Sequence, residues 1–468
     1  MLNSAYCCRQ LAESTTTQVL DELIAIYPQR LEYYRTRGIV RCFRDEYQLA
    51  TRDFTHALKE ARNMRKARHA HTAASDSDRS SKVRGKKGKK TKIRGQAPPD
   101  GTAVAEGADG ESLPLHPSVL PDAPEPIEPQ ALFLRGAAYL QNVIFLIESA
   151  ILDLEGIRKT ALTDGTELRL CYVENGRYGG VEIGNPNGPL GAPSGAKAQA
   201  YRKVLNDAAF REQVNTLLRK SIRDHEKFLS HFDTLDAPMP IFPGNLAQRT
   251  RYAFLLTESL RPGSHSQPPP LNAPPVFTTY HPLLVESHFS ILFATLLLAE
   301  FTSLLPAFAR AATLVDGLEG YPVFLPARSM AQAEFIEVLE RLASGWSTGV
   351  QPHSFAAEML TIAAAPSSSD VPSTTLPMAE DGGTSHLSLP SGDESCAAVA
   401  ENLDCARMLL APVAQRQRER AEKAAIEKAS RVDKPKAINI NIPLHGPRVE
   451  IVLAWLGAVH LPELERAA

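Results

Sequence analysis

The chain has 468 residues, 43% of them hydrophobic and only 7% aromatic, with 35 prolines. That length leaves room for about three domains and a sizeable core. The net charge of −2 excludes a uniformly basic or acidic chain, but it hides an asymmetry. Residues 30–95 hold 20 Lys/Arg against 7 Asp/Glu, and 366–404 hold seven acids with no Lys or Arg. The six cysteines form no CxxC, and no Cys/His set has zinc spacing, so a reducing compartment and no metal are expected.

A first helix is predicted over 15–27, where Val19, Leu20, Leu23, Ile24 and Tyr27 recur at helical spacing before Pro28. The stretch 34–61 follows and organises the rest. Gly38 is followed twelve residues later by Ala50, then by Phe54 and Ala57. Tyr34 stands four before the glycine and Tyr47 nine after it. A helix near 29–43 packed closely on a second near 46–66 explains the pattern, because helices approach closely only where small residues face each other.

These residues resemble the tetratricopeptide (TPR) helix-turn-helix unit. The resemblance implies an all-α superhelix of stacked helical hairpins, with a concave face that holds a partner. Gly38, Tyr47, Ala50, Phe54 and Ala57 match the pattern. Tyr34 replaces its tryptophan, Arg37 its leucine, Arg41 its tyrosine and Arg62 its closing proline. Gly136 and Tyr139, in LRGAAYL, open a second unit, with helices over 130–141 and near 143–158. Leu304, Phe308 and Ala311 repeat the Ala50, Phe54, Ala57 spacing and mark a worn third unit. The partner-groove candidates the resemblance implies are Glu32, Arg35, Ile39, Cys42, Phe43, Phe133 and Ala137. Arg35 could serve for a lysine of the chaperone-tail clamp, but Ile39 stands where its asparagine belongs. A peptide with apolar anchors and some acid suits such a face. The alternative is that these faces pack on neighbouring helices.

Residues 67–125 are poor in large apolar side chains and are expected to form a disordered linker. Inside it Lys82, Arg84, Lys86, Lys87, Lys89, Lys90, Lys92 and Arg94 put eight positive charges into thirteen positions. Such a run can be a nuclear-import signal, a phosphate-binding arm for nucleic acid, or a solvated charge cluster.

Residues 126–365 are expected to be TPR-like and further helices, with loops near 184–196 and 262–276. Asn175-Gly176 fits a hairpin turn or a helix end equally well. One long helix is predicted over 197–233, and others near 245–260, 282–316, 328–345 and 353–364. Within 282–316 only eleven residues, Phe289–Ala299, lie between charged or ionisable side chains. That is short of the roughly 20 a bilayer-spanning helix needs, so no membrane span is expected. Residues 366–395 read as a disordered acidic Ser/Pro segment and 396–468 as C-terminal helices. Alanine at the apolar positions of 416–431 argues against a coiled coil there. The last helix, near 446–460, carries Trp455 as a terminal cap.

No GxSxG, HExxH or GxxxxGK[ST] occurs. His225 and His231 do not share a helix face; His281 and His288 do, but at about 10 Å along the axis they are too far apart for one ion. The expectation is a non-catalytic scaffold, nuclear or cytoplasmic, without cofactor, that binds an unidentified protein or peptide. The alternative is a nuclear nucleic-acid-associated factor that uses 82–94.

Overall fold

The computed structural model describes residues 16–83, 126–158, 169–173, 175–183, 185, 187–231, 246, 247, 250, 282–317, 330–346, 392–430 and 447–467. Among these the chain is all helix, turn and loop, with no strand. It divides into two compact units, 1–138 and 139–468.

In the first unit α1 (Gln18–Ile26), α2 (Leu31–Phe43) and α3 (Tyr47–Val83) follow one another. The turn between α2 and α3 reverses the chain at Asp45, whose φ is +59°. The Glu46 amide donates to the Arg41 carbonyl across 2.9 Å, and the Tyr47 hydroxyl donates to Asp45 Oδ1 across 2.9 Å. This left-handed closure satisfies carbonyls that the helix end would leave open. The expected helices near 29–43 and 46–66 are therefore present, but the second runs on to Val83. Residues 67–83 contain four alanines and neither Gly nor Pro, so nothing in them stops a helix already under way. The expected linker accordingly loses its first part to α3. Residues 84–125 lie outside the described residues.

The second predicted hairpin is not one. Residues 130–141 and 143–155 belong to a single helix, α4 (Ile127–Glu155), which gives 127–138 to the first unit and 139–155 to the second. Gln141-Asn142-Val143 offers no Gly, no Pro and no capping geometry, and the helix simply continues through it. It stops where the sequence supplies a real terminator. Gly156 has φ +73°, and the Ile157 amide donates to the Leu152 carbonyl across 2.9 Å.

The second unit also divides its helices differently from the reading above. The span 197–233 is two helices, α5 (Ala196–Leu205) and α6 (Ala208–Leu229). Asp207 caps α6, its Oδ2 accepting the Phe210 amide across 3.0 Å. The span 282–316 is also a pair, α7 (Pro282–Leu297) and α8 (Phe301–Gly317). Ala299 turns between them at φ +55°. Asn402, on α10 (Gly392–Ser430), ties this corner: its Oδ1 accepts the Phe301 amide at 2.6 Å and its Nδ2 donates to the Ala299 carbonyl at 2.7 Å.

The core of the unit gathers on α9 (Met330–Gly345), where Phe335 meets Phe289, Phe293 and Phe308 with ring centroids 5.6–5.9 Å apart. Leu304, Phe308 and Ala311 are all buried. On α10, Leu403 to Ala414 are buried at helical spacing while Arg418–Ile426 are exposed, which is the solvated extension the charge pattern predicts. The chain then forms α11 (Pro447–Trp455), a π-turn (Leu456–His460) and α12 (Leu461–Ala467). Trp455 is fully buried and donates to the Leu297 carbonyl across 2.8 Å, as its place at the end of an apolar helix implies. The helices near 353–364, and all but 246, 247 and 250 of the one near 245–260, lie outside the described residues, as do 262–276 and 366–391.

Candidate functional site

Three places in the molecule carry more chemistry than packing alone requires. The first is the α2–α3 pair. Gly38 is buried, and a Cβ there would stand 2.5–3.0 Å from ring atoms of Phe54. Ala50, Phe54 and Ala57 are wholly buried, and Tyr34 stacks on His56 with ring centroids 4.3 Å apart. The small-residue positions read from the sequence are therefore the contact between the helices.

The departures from the TPR pattern have a common cause. Arg37 and Arg41, standing where leucine and tyrosine are usual, both reach Asp53, at 2.6 and 2.7 Å. Asp53 is 3% exposed, and Arg37 also pairs with Asp21 at 2.6 Å. The bond to Asp53, more than the one to Asp21, holds the Arg37 guanidinium above its ordinary pKa. Arg62, at the proline position, meets the buried Glu128 at 2.9 Å, beside Arg65 at 3.0 Å. An ionic network has replaced part of the apolar contact between helices. Asp53 and Glu128 were missed in the sequence because a carboxylate at a core position is recognisable only once its arginines are near it.

The groove expected on α2 is partly filled. Arg35 donates to Gln130 Oε1 on α4, and Ile39 and Cys42 pack with Leu134 on the cluster of Ala50, Phe54 and Ala138. Phe133 is buried and Ala137 half-buried. Of the seven candidates only Glu32 and Phe43 stand exposed. This corrects the groove prediction: in the first unit α4 lies on the face assigned to a peptide. Burial pushes the Cys42 thiol up to about 12, so it stays protonated and inert. Of the two remaining repeat residues, Gly136 is buried, whereas Tyr139 falls in the second unit, where the Lys220 ammonium lies 5.9 Å from its ring centre. Lys82 lies in the last turn of α3, and Arg84, Lys86, Lys87, Lys89, Lys90, Lys92 and Arg94 lie outside the described residues.

The second place is a cleft in the second unit, walled by a loop that buried carboxylates hold. Asn175-Gly176 is neither hairpin nor helix end. A single 3-10 turn, Leu170–Tyr172, leads into irregular chain. Glu155, 3% exposed, accepts the Tyr178 and Gly180 amides at 2.7 and 3.0 Å and the Tyr201 hydroxyl at 2.6 Å. Glu450, wholly buried, accepts from the Arg169 guanidinium at 2.7 Å and the Cys171 amide at 3.0 Å. Gly180 has φ +68°, and a Cβ on it would fall 2.0 Å from the Leu170 carbonyl oxygen. Beyond this anchored turn, residues 182–193 fold over the start of α5, the C-terminal end of α9 and the π-turn, and enclose the cleft.

The third place is the contact between α6 and α7. His225 Nδ1 lies 2.9 Å from Ser287 Oγ, with His288 nearby and Arg310 beside His288. Asp224, His225 and Ser287 are wholly buried, so no substrate reaches the His–Ser pair, and its role is to satisfy polar groups in the core. Burial drives His225 down to about 3 and His288 to about 4. His281 lies outside the described residues. Among the described residues no three His, Cys, Asp or Glu side chains are grouped to hold a metal ion.

Compared with protein-family models, with curated proteins and with solved structures, the chain matches none.

Proposed function

We propose that the protein is a non-catalytic scaffold whose TPR-like first unit binds a segment of another protein. One observation carries this reading: α1 buries none of its nine residues although six are apolar. Val19, Ile26 and Tyr27 are 62%, 65% and 47% exposed, and Phe43 on α2 is 39% exposed. Apolar side chains gathered on one terminal helix of a stackable pair are what a partner covers. The excess of Lys/Arg over Asp/Glu in 30–95 favours a partner segment that carries acids between apolar anchors. The docking face is then α1 with the open end of α2, rather than the Arg35–Ile39 face.

Proximity labelling in cells tests this. Val19→Asp with Ile26→Asp should remove a defined set of labelled neighbours while circular dichroism stays that of the parent chain. The same neighbours with both chains would sink the reading.

A second reading is favoured by α3. Arg52, Lys59 and Lys66 are exposed, seven residues apart on one helix face, and pair with no carboxylate among the described residues. The same helix delivers the basic run at its end, so a phosphate backbone could follow both. In this reading the protein is a nuclear nucleic-acid-associated factor, and 82–94 also serves as its import signal. DNA binding at low salt should fall steeply as salt rises and disappear in Lys86/Lys87/Lys89/Lys90→Ala. No detectable binding at low salt removes this reading.

By length and composition α4 is the one described helix that could cross a bilayer. Glu128, bound by two arginines, and Arg135, which donates to Thr55 Oγ1 at 3.1 Å, lie within it and support reading it as a core helix.

A further inference from the structure

We propose that the cleft between the 182–193 loop and the C-terminal end of α9 binds a carboxylate carried on an apolar stem. This goes beyond the scaffold reading and concerns the second unit alone. Trp346 and Arg202 both line the cleft. Trp346 is 2% exposed, and its indole N–H is buried with no acceptor. The Arg202 Nε–H is buried and lacks an acceptor too. Buried donors in a folded protein are almost always satisfied, and two unsatisfied ones in one cleft define what is missing, an acceptor of two hydrogen bonds.

The charges around the cleft say which acceptor. Arg341 is committed to Glu337 at 2.7 Å, and Lys197 to Glu182 at 2.7 Å. Arg202 has no carboxylate partner among the described residues, so one positive charge is available for one negative charge. Two oxygens and a single charge describe a carboxylate. A phosphate dianion would also face the carbonyl end of α9, where the helix dipole disfavours a second negative charge. The remaining walls are apolar: Leu190, Leu342, Leu453 and Leu461 line the same space. They would take the stem of the ligand.

The backbone is arranged to keep this space. The π-turn 456–460 forms one side, a helix irregularity found often at functional sites. Gly457 on it faces Pro189 with 3.4 Å to spare for a Cβ, so no larger residue enters from that side without pressing on the loop. The other tryptophan supplies the contrast: Trp455 donates to a carbonyl, and its indole needs nothing further.

The test uses the full chain labelled with ¹⁵N-tryptophan. Its two tryptophans give two indole signals, assigned with Trp346→Phe. The probes are hexanoate and N-acetylleucine, with N-acetylleucinamide as the uncharged control. The expected result is a saturable shift of the Trp346 signal by both acids, with Trp455 unmoved and the amide inert. Arg202→Met, and Arg202→Lys as a second variant that keeps the charge but lacks Nε, should weaken binding at least about tenfold with the thermal melt unchanged. Tighter binding of N-acetylleucine would identify a peptide carboxyl terminus as the source, and tighter hexanoate a free organic acid; either supports the carboxylate site. A Trp346 signal that ignores both acids at millimolar concentration, or moves equally with the amide, overturns it and leaves ordered water on the two donors.

Discussion

A chain carrying Gly38→Val is expected to lose its first helix pair while the second unit stays folded. The added Cβ would sit 2.5 Å from one Phe54 ring carbon and 2.8 Å from the next, closer than real Cβ contacts allow. The ring cannot swing aside, because it is wholly buried in a cluster with Ala50 and Ala138, against Ile39, Cys42 and Leu134. Either the helices separate or the ring leaves its rotamer. Overpacking of this kind costs roughly 3 kcal/mol, and a small unit has only a few to lose. Amide hydrogen exchange is the measurement: protection over 31–61 should collapse while that over 282–317 persists. Gly38→Ala with Phe54→Leu should recover part of what Gly38→Ala alone loses, since the clash is between these two side chains. Unchanged protection in Gly38→Val would mean that the helices do not meet at this glycine.

How much of this was legible follows from the kind of signal each feature leaves. The all-helical class and the α2–α3 pair were readable because periodic apolar residues and three small residues at fixed spacing are local patterns. The solvated end of α10 and the buried Trp455 were readable for the same reason. The misplaced boundaries come from signals one residue wide. Asp207, three before Phe210, was the cap that splits 197–233, and it lay unnoticed inside a long charged run. Ala299 turns the chain at a φ that alanine rarely adopts, so no residue type marked the corner between α7 and α8. The second hairpin failed for the opposite reason: LRGAAYL matches a motif whose partner helix must be entered through a turn, and Gln141-Asn142-Val143 cannot make one.

The site residues were legible only where they were local. Gly38, Ala50, Phe54 and Ala57 could be named from spacing. Asp53, Glu128, Glu155 and Glu450 could not, because each is explained by partners far away in sequence: Arg62 for Glu128 and Arg169 for Glu450 lie 66 and 281 residues from them. The cleft is further out of reach, since its walls come from four separate stretches and its two open donors are visible only as missing bonds. The groove candidates were correctly placed on α2, but whether α4 covers them is a tertiary fact.

Stability is expected to fall as pH drops from about 6.5 toward 4, and buried histidines in the second unit set that window. Burial lowers His225 to about 3, helped by the nearby His288. It lowers His288 to about 4, with Arg310 adding to the effect, and His460 to about 4, with Arg211 adding. For His460 the Leu297 backbone pulls weakly the other way. A folded-state pKa below the unfolded value means that the unfolded chain takes up the proton first. The stabilising contribution is therefore complete above pH 6.5 and is lost progressively as pH falls toward the folded values. At two pH units below the unfolded value each group forfeits on the order of 2 kcal/mol, so the three together approach the whole stability of an ordinary domain. The facing groups do not offset this: Ser287 is neutral, and Asp224, beside His225 in sequence, is not among the causes that shift it. Denaturant melts between pH 7.5 and 4.5 should show this slope in the parent chain and a much shallower one in His225→Gln/His288→Gln/His460→Gln, because glutamine keeps a polar side chain but takes up no proton. Equal slopes would assign the acid sensitivity to carboxylates instead, with Glu155 and Glu450 the next to test. Above pH 7 the two chains should differ by no more than the cost of repacking, which separates proton uptake from any damage done by the substitutions themselves.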